Sequence, residues 1–235
     1  MAVFIAHVPE TLAQPDRLNA RPRRLAANYA TLLRDARFLR PAIVMGTSVG
    51  GLYTLATILP FVLIDAVGLS PTQFGVGMMV QSGSFILGSF VMRRLLRSVE
   101  AHRLVPVGLG FICVGALLLP LMLALAEPSF LAVMGPIGVL AFGIPFVMPT
   151  MMTESLAPFP RIAGAAAALS GFFQMGGGLI GSGIAAAMGD PSLALATILP
   201  AMALTALTAQ LTLKGATSRM EESVADRLIR PEKSG

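Results

Sequence analysis

Two stretches of this chain have the spacing of chemical motifs. Gly46-Thr47-Ser48-Val49-Gly50 matches GxSxG, the pattern that presents a serine nucleophile on a tight turn. Such a serine needs a base within hydrogen-bond reach. The two histidines, His7 and His102, lie on no segment expected to face Ser48, so no enzyme is expected. Gly176-Gly177-Gly178-Leu179-Ile180-Gly181 matches GxGxxG. A dinucleotide site needs a strand before that motif and a helix opening at it, whereas here it lies inside one long apolar run. The single cysteine, Cys113, rules out a disulfide or zinc site within one chain and reads as packing filler. No cluster of His, Asp, Glu or Cys implies a metal, and no cofactor is expected. Glu154 remains, the carboxylate that comes closest to a deep apolar position. Pairing with Arg161 and a structural or gating role are expected of it, rather than proton transport.

These residues sit in a chain that is 55% hydrophobic and 12% charged, with a mean hydropathy of +0.77. Soluble domains carry about 25% charged residues. Charge-free runs span 41–64, 66–92, 104–126, 128–153, 162–189 and 191–213, and about 20 apolar residues suffice for a helix to cross a bilayer. Six membrane-spanning helices are predicted at 41–64, 74–92, 104–126, 129–156, 162–188 and 192–213, spans A to F. The short alternating segments of a membrane β-barrel do not appear. MAVFIAHV at the start lacks the basic region of a secretory signal and is too short for one.

The pI near 10.3 raises the question of nucleic acid. The positions of the bases answer it. All 17 Lys and Arg fall in 10–40, 93–103, at Arg161 and in 214–235, while the A–B, C–D and E–F connections carry Asp65, Glu127 and Asp190 instead. This is the asymmetry of cytoplasmic loops. It places both termini in the cytoplasm and excludes a nucleic-acid partner.

Around the spans, residues 1–40 read as the end of a preceding helix followed by a basic cytoplasmic linker. In that linker Leu25, Tyr29, Leu32, Leu33 and Ala36 share a helical face, which implies an interfacial helix, with a solvated linker the alternative for its first half. Residues 214–235 form a cytoplasmic tail. Span D carries Pro136, Pro145 and Pro149 and is expected to be irregular. Span C has Cys113 as its one mildly polar residue besides glycines, and F is polar at Thr197, Thr205, Thr208, Gln210 and Thr212; both are expected to face lipid, F with Ala203 on it.

Span E opens as AGAAAALSGFFQMGGGLIGSGIAAA and is built mostly of Gly, Ala and Ser. Lipid gives little hydrophobic drive for helix association, so small faces that let backbones approach are what packs. Gly177 and Gly181 form GxxxG. Ala167, Gly171, Gln174, Gly178, Gly181 and Ala185 form a stripe at helical spacing, with Gln174 its one large polar side chain. Such a stripe reads either as a sliding or gating surface or as tight static packing.

PTMMTESLAPFPRIAGAAAALSGFFQ (149–174) resembles the tenth-to-eleventh helix region of the major facilitator superfamily, in the branch of bicyclomycin/chloramphenicol-resistance (Bcr/CflA-type) drug:proton antiporters. GLYTLATILPFVLIDAVGLSPTQFG (51–75) is similar to the seventh helix and its loop. GSFVMRRLLRSVEAHRLVPVG (88–108) resembles the basic loop between helices eight and nine, without its Asp. PETL and the arginines after it (9–24) resemble the end of helix six and the central loop. The resemblance implies an all-α membrane protein whose six transmembrane helices form one half of a major-facilitator fold, A to F standing for helices seven to twelve. The family has twelve, so a fragment, a truncated product and a half that must associate all remain open.

The resemblance further implies multidrug efflux by proton antiport at a bacterial inner membrane. Small amphipathic molecules and protons would be the cargo, and a missing N-terminal six-helix half or a second copy the partner. Substrate would lie between halves near the midplane, with helices seven, eight, ten and eleven facing it. Expected lining residues are Tyr53 on A, Met78 and Gln81 on B, and Phe173 and Gln174 on E. Gly171, Gly177, Gly181 and Glu154 are expected to pack or gate. Gly46, Gly50, Tyr53 and Thr57 share one face of A, and Gly77, Gln81, Ser84 and Gly88 share one face of B. A membrane partner or assembly protein that transports nothing is the alternative from a different class.

Overall fold

The structure, a computed structural model, describes residues 22–125 and 129–229, with side chains to residue 213. The reading of residues 1–9 as the end of an earlier helix, and Glu127 in the C–D connection, lie outside these residues. Among the described residues seven α-helices follow one another: α1 Pro22–Leu32, α2 Ala36–Pro60, α3 Pro71–Leu95, α4 Ala101–Leu125, α5 Phe130–Leu156, α6 Ala163–Met188 and α7 Pro191–Ile229. No strand occurs among the described residues. Helices α2 to α7 contain six stretches long and apolar enough to cross a membrane, so the protein is a multi-pass all-α membrane protein.

Local chemistry explains where the helices begin. Asp35 caps α2, its carboxylate accepting from the Arg37 N–H at 2.9 Å. Ser70 and Gln73 form a reciprocal capping box ahead of α3, with Pro71 at the first helical position. Ser129 caps α5. Asp190 accepts from the N–H groups of Ser192 and Leu193 at 2.9 and 3.0 Å and so opens α7. Gly189 closes α6 at φ +70°, a left-handed position that a side chain would strain. Only Gly189 and Asp190 separate α6 from α7, which makes a tight corner. α2 does not end at Pro60 but widens into a π-helical turn over Phe61–Ala66.

α5 and α2 form the centre. Of α5's apolar stretch 72% is buried, against 17% for α3 and for α6. α4 and α7 cover the α5–α2 pair on one side, α3 packs along α5, and α6 packs along α2. Span D was expected to be irregular, yet α5 is one continuous helix with all three prolines inside it. Its neighbours hold it on most sides. Gly108 and Gly143 bring the backbones of α4 and α5 together, since a Cβ at Gly108 would lie 2.8 Å from the Gly143 carbonyl.

On α4 and α7 the exposed residues form stripes. On α4 the stripe is Val107, Phe111, Val114, Leu117, Leu121 and Leu125, all apolar. On α7, the exposed Thr197, Thr205 and Thr212 each donate to the carbonyl four residues back, so their hydroxyls can meet lipid at little cost. The remaining faces of these helices are packed. Ala203 is 3% exposed, and its carbonyl accepts from Cys113 Sγ. The expectation that Ala203 faces lipid is therefore wrong, because α7 packs one of its faces on α2 and α4 and Ala203 lies on that face.

Candidate functional site

The residues singled out on spans A and E meet along one seam. A Cβ at Gly46 would fall 2.9 Å from the Phe173 carbonyl, and one at Gly50 would fall 2.9 Å from Gly177 C and Gly178 N. A Cβ at Gly177 would collide with the Gly46 carbonyl oxygen, and one at Gly181 with Thr54 Oγ1. A Cβ at Gly178 would lie 2.6 Å from Tyr53 Cβ. α2 and α6 are thus in backbone contact. Thr54 donates to the Gly178 carbonyl at 3.3 Å, and the hydroxyls of Thr57 and Ser182 are 2.7 Å apart. Gln174 reaches toward α2, its Nε2 4.0 Å from Met45 Sδ. Gly171 does not belong to the seam, as a Cβ there would meet nothing within 4 Å. Ser170, one position earlier, is fully buried and donates to Ser155 Oγ at 3.2 Å.

Tyr53 keeps its Cβ in the seam, and the residue is 45% exposed. Phe173 meets Phe38 edge-on at 6.3 Å, and Phe38 meets Phe159 in the same way. With Leu32 of α1, Ala42 and Ala166 these rings form a small core at the arginine-rich end of the bundle. Tyr29 and Leu32, expected on an interfacial face, pack against this core instead.

Glu154 pairs with Arg40, not with the exposed Arg161. The sequence offered Arg161 because it is near in the chain. Antiparallel packing of α2 and α5 brings Arg40 to Glu154 from 114 positions away. Asp35 and Arg37 stand beside this pair on the chain, and the Arg37 guanidinium bound to it holds the Asp35 carboxyl below the usual range against the opposing effect of burial.

On α3 the face Gly77, Gln81, Ser84 and Gly88 packs on α5. A Cβ at Gly88 would collide with the Phe142 carbonyl, and Ser84 approaches Gly138. Gln81 is 8% exposed, with its Oε1 unpartnered, and Met78 is partly buried against the core. Gln81 and Gln174 therefore sit on helices held by different neighbours. Ser48 of the GxSxG match is 3% exposed inside α2. His102, the one histidine among the described residues, lies on the first turn of α4 beside Glu100. The GxGxxG match lies within α6.

This helical arrangement agrees with the comparison to known families. The model of the Major Facilitator Superfamily matches residues 1–182. The chain belongs to the major facilitator superfamily. The match takes in the α2–α6 seam, the Arg40–Glu154 pair and Gln81, and ends within α6, before α7. A bicyclomycin resistance protein homolog of Haemophilus influenzae is 25% identical over 181 residues, covering 77% of this chain and 45% of that protein. This major-facilitator chain spans about half the length of that relative. The branch inferred from 149–174 is the branch to which that relative's name points.

Proposed function

We propose that this bundle forms one wall of an alternating-access pathway that exports small amphipathic molecules by proton antiport. The observation that carries the reading is the pair of lightly buried helices, α3 and α6. They turn Met79, Ile86, Leu87 and Phe90, and Phe172, Met175, Leu179 and Ile180, away from the bundle. In this reading a second six-helix bundle, the matching half or another copy, covers that surface, and substrate passes between the two. Tyr53, Met78, Gln81, Phe173 and Gln174 are the proposed contacts with substrate. Glu154, Gly177 and Gly181 are proposed to set how the wall packs and gates, and Gly171, open on its own face, to leave room for gating rather than to pack. The arginine-rich end is cytoplasmic and the membrane is the bacterial inner membrane. The bicyclomycin resistance named for the relative supports a drug as cargo.

Proton coupling needs a group that titrates in the pathway. Among the described residues the carboxylates within spans are Asp65 and Glu154, both near helix ends, and Glu154 is engaged by Arg40. The coupling carboxylate in this reading belongs to the covering bundle. The test is radiolabelled bicyclomycin efflux from liposomes under a proton gradient. Residues 1–235 alone should give none. A protein joined to a matching six-helix half should give it, and Gln174→Leu in that protein should change rate or substrate range. Proton-driven efflux by the 235 residues alone would move coupling to Glu154. No transport by a folded joined protein would favour a membrane partner or assembly role instead.

A further inference from the structure

At the end of the bundle away from the arginines, α2, α6 and the start of α7 line a half-open pocket of about 300 Å³. Three local features open it. α2 passes from α to π geometry at Phe61, which widens its next turn. α6 stops at Gly189, whose φ of +70° turns the chain sharply into α7. Ala185 and Ala186 on α6 leave the wall shallow. Phe61 lines the pocket and is 54% exposed. A cavity of about 150 Å³ holds benzene, so this volume suits a two-ring molecule.

The polar chemistry of the pocket is directional. Thr57 and Ser182 are its hydroxyl-bearing residues. Thr57 has one hydroxyl proton and gives it to the Thr54 carbonyl at 2.7 Å. In the 2.7 Å contact between the two hydroxyls, Ser182 must then be the donor. Both protons are committed, and what the pair offers a guest is lone pairs.

We propose that this pocket is a ligand subsite for flat, largely apolar molecules that carry one hydrogen-bond donor, a phenol or an amine. The proposal deepens the transport reading by naming what the outer end of the wall accepts. A ring lies against Phe61 and Ile58, and its donor meets the Thr57–Ser182 pair. Ethers and ketones of the same shape have no proton to give and bind less well.

The test uses the full chain in lipid nanodiscs and ligand-observed fluorine NMR, with empty nanodiscs measuring partition into lipid. The probes are 6-fluoro-2-naphthol and its methyl ether. The naphthol should bind above the lipid background, and the ether about fivefold more weakly. Ser182→Ala should weaken the naphthol by about the same factor and leave the ether unchanged. Ala186→Phe should remove binding of both, while Gly135→Ala, in a separate groove between α3, α4 and α5, should leave both intact. Equal binding of naphthol and ether, or no effect of Ser182→Ala, would overturn the proposal. Should Ala186→Phe fail to fold, the comparison of the two probes on the unmodified chain still decides. Binding with no transport by the joined protein would sink the pathway reading and leave the subsite. Transport with no binding would do the reverse.

Discussion

Gly177→Ala should destabilise the bundle although alanine is the better helix former. The added Cβ collides with the Gly46 carbonyl oxygen and stands 3.0 Å from Gly46 C, and the reciprocal Cβ at Gly50 stands 2.9 Å from Gly177 C. Relaxed carbon contacts lie at about 3.5–4.0 Å. The obstacle on both sides is backbone, so no rotamer change relieves it, and α2 and α6 must part by about half an ångström or more. Overpacking of this kind costs about 1–3 kcal/mol. A glycine-to-alanine change also gains about 1 kcal/mol of helix propensity, and that term cancels against a control in the same helix. Gly183→Ala is such a control, since its Cβ would meet nothing within 4 Å. The gap between the two variants is then the clash alone. A 2 kcal/mol gap corresponds to about 4–8 °C in a chain of this size. Apparent Tm in detergent, read by loss of the monodisperse peak on size exclusion after heating, measures it. Should Gly177→Ala and Gly183→Ala melt together, α2 and α6 are not in backbone contact and the seam described above is wrong.

Three further outcomes follow from the same structure. Glu154→Gln should lower stability by about 1–2 kcal/mol, less than the 3–5 of a fully buried pair because the carboxylate is 26% exposed; joint replacement of Arg40 and Glu154 by methionine should recover most of that loss, and Arg161→Ala should cost little, all read as Tm. Asp35→Asn should be less stable than the native chain at pH 7. The folded pKa of Asp35 is lowered, so its contribution is full above the unfolded value of about 3.9 and fades as pH falls through the folded one. A denaturation series from pH 7 to pH 2 should show the two proteins converging at the acid end. For topology, single cysteines at Thr72, Ser98 and Ser192 in a Cys113→Ala background should label from outside at 72 and 192 but not at 98; labelling of 98 in intact cells would invert the orientation.

The number of helices long and apolar enough to span was legible because lipid imposes a length and a charge limit on each helix, and the charge-free runs reflect both. Which glycines matter was half legible. Gly177 and Gly181 stand out as GxxxG, but Gly171 shares their spacing and touches nothing, because Ser170 rather than Gly171 turns toward Ser155. The partner of Glu154 was not legible. Arg161 is seven residues away in sequence, whereas Arg40 becomes a neighbour only when α2 and α5 lie antiparallel. Nor could the sequence separate a polar face that lines a path from one that packs. Gly46, Gly50, Tyr53 and Thr57 do share a face, and α6 lies on it. The pocket at Thr57 and Ser182 needed both the π turn after Pro60 and the corner at Gly189, and neither has a pattern that periodicity reveals.

The contact of Gly46 and Gly50 with Gly177 and Gly178 also limits how this protein can drift. In most cores a residue that grows can be accommodated when the one facing it shrinks, and the pair wanders together through sequence space. At Gly46, Gly50 and Gly177 the nearest atoms across the seam are backbone, so no shrinking of a facing side chain can answer an enlargement there. Each position is frozen alone rather than as a member of a pair. Such a seam would leave invariance with no covariation, and methods that find contacts from correlated change would pass over it.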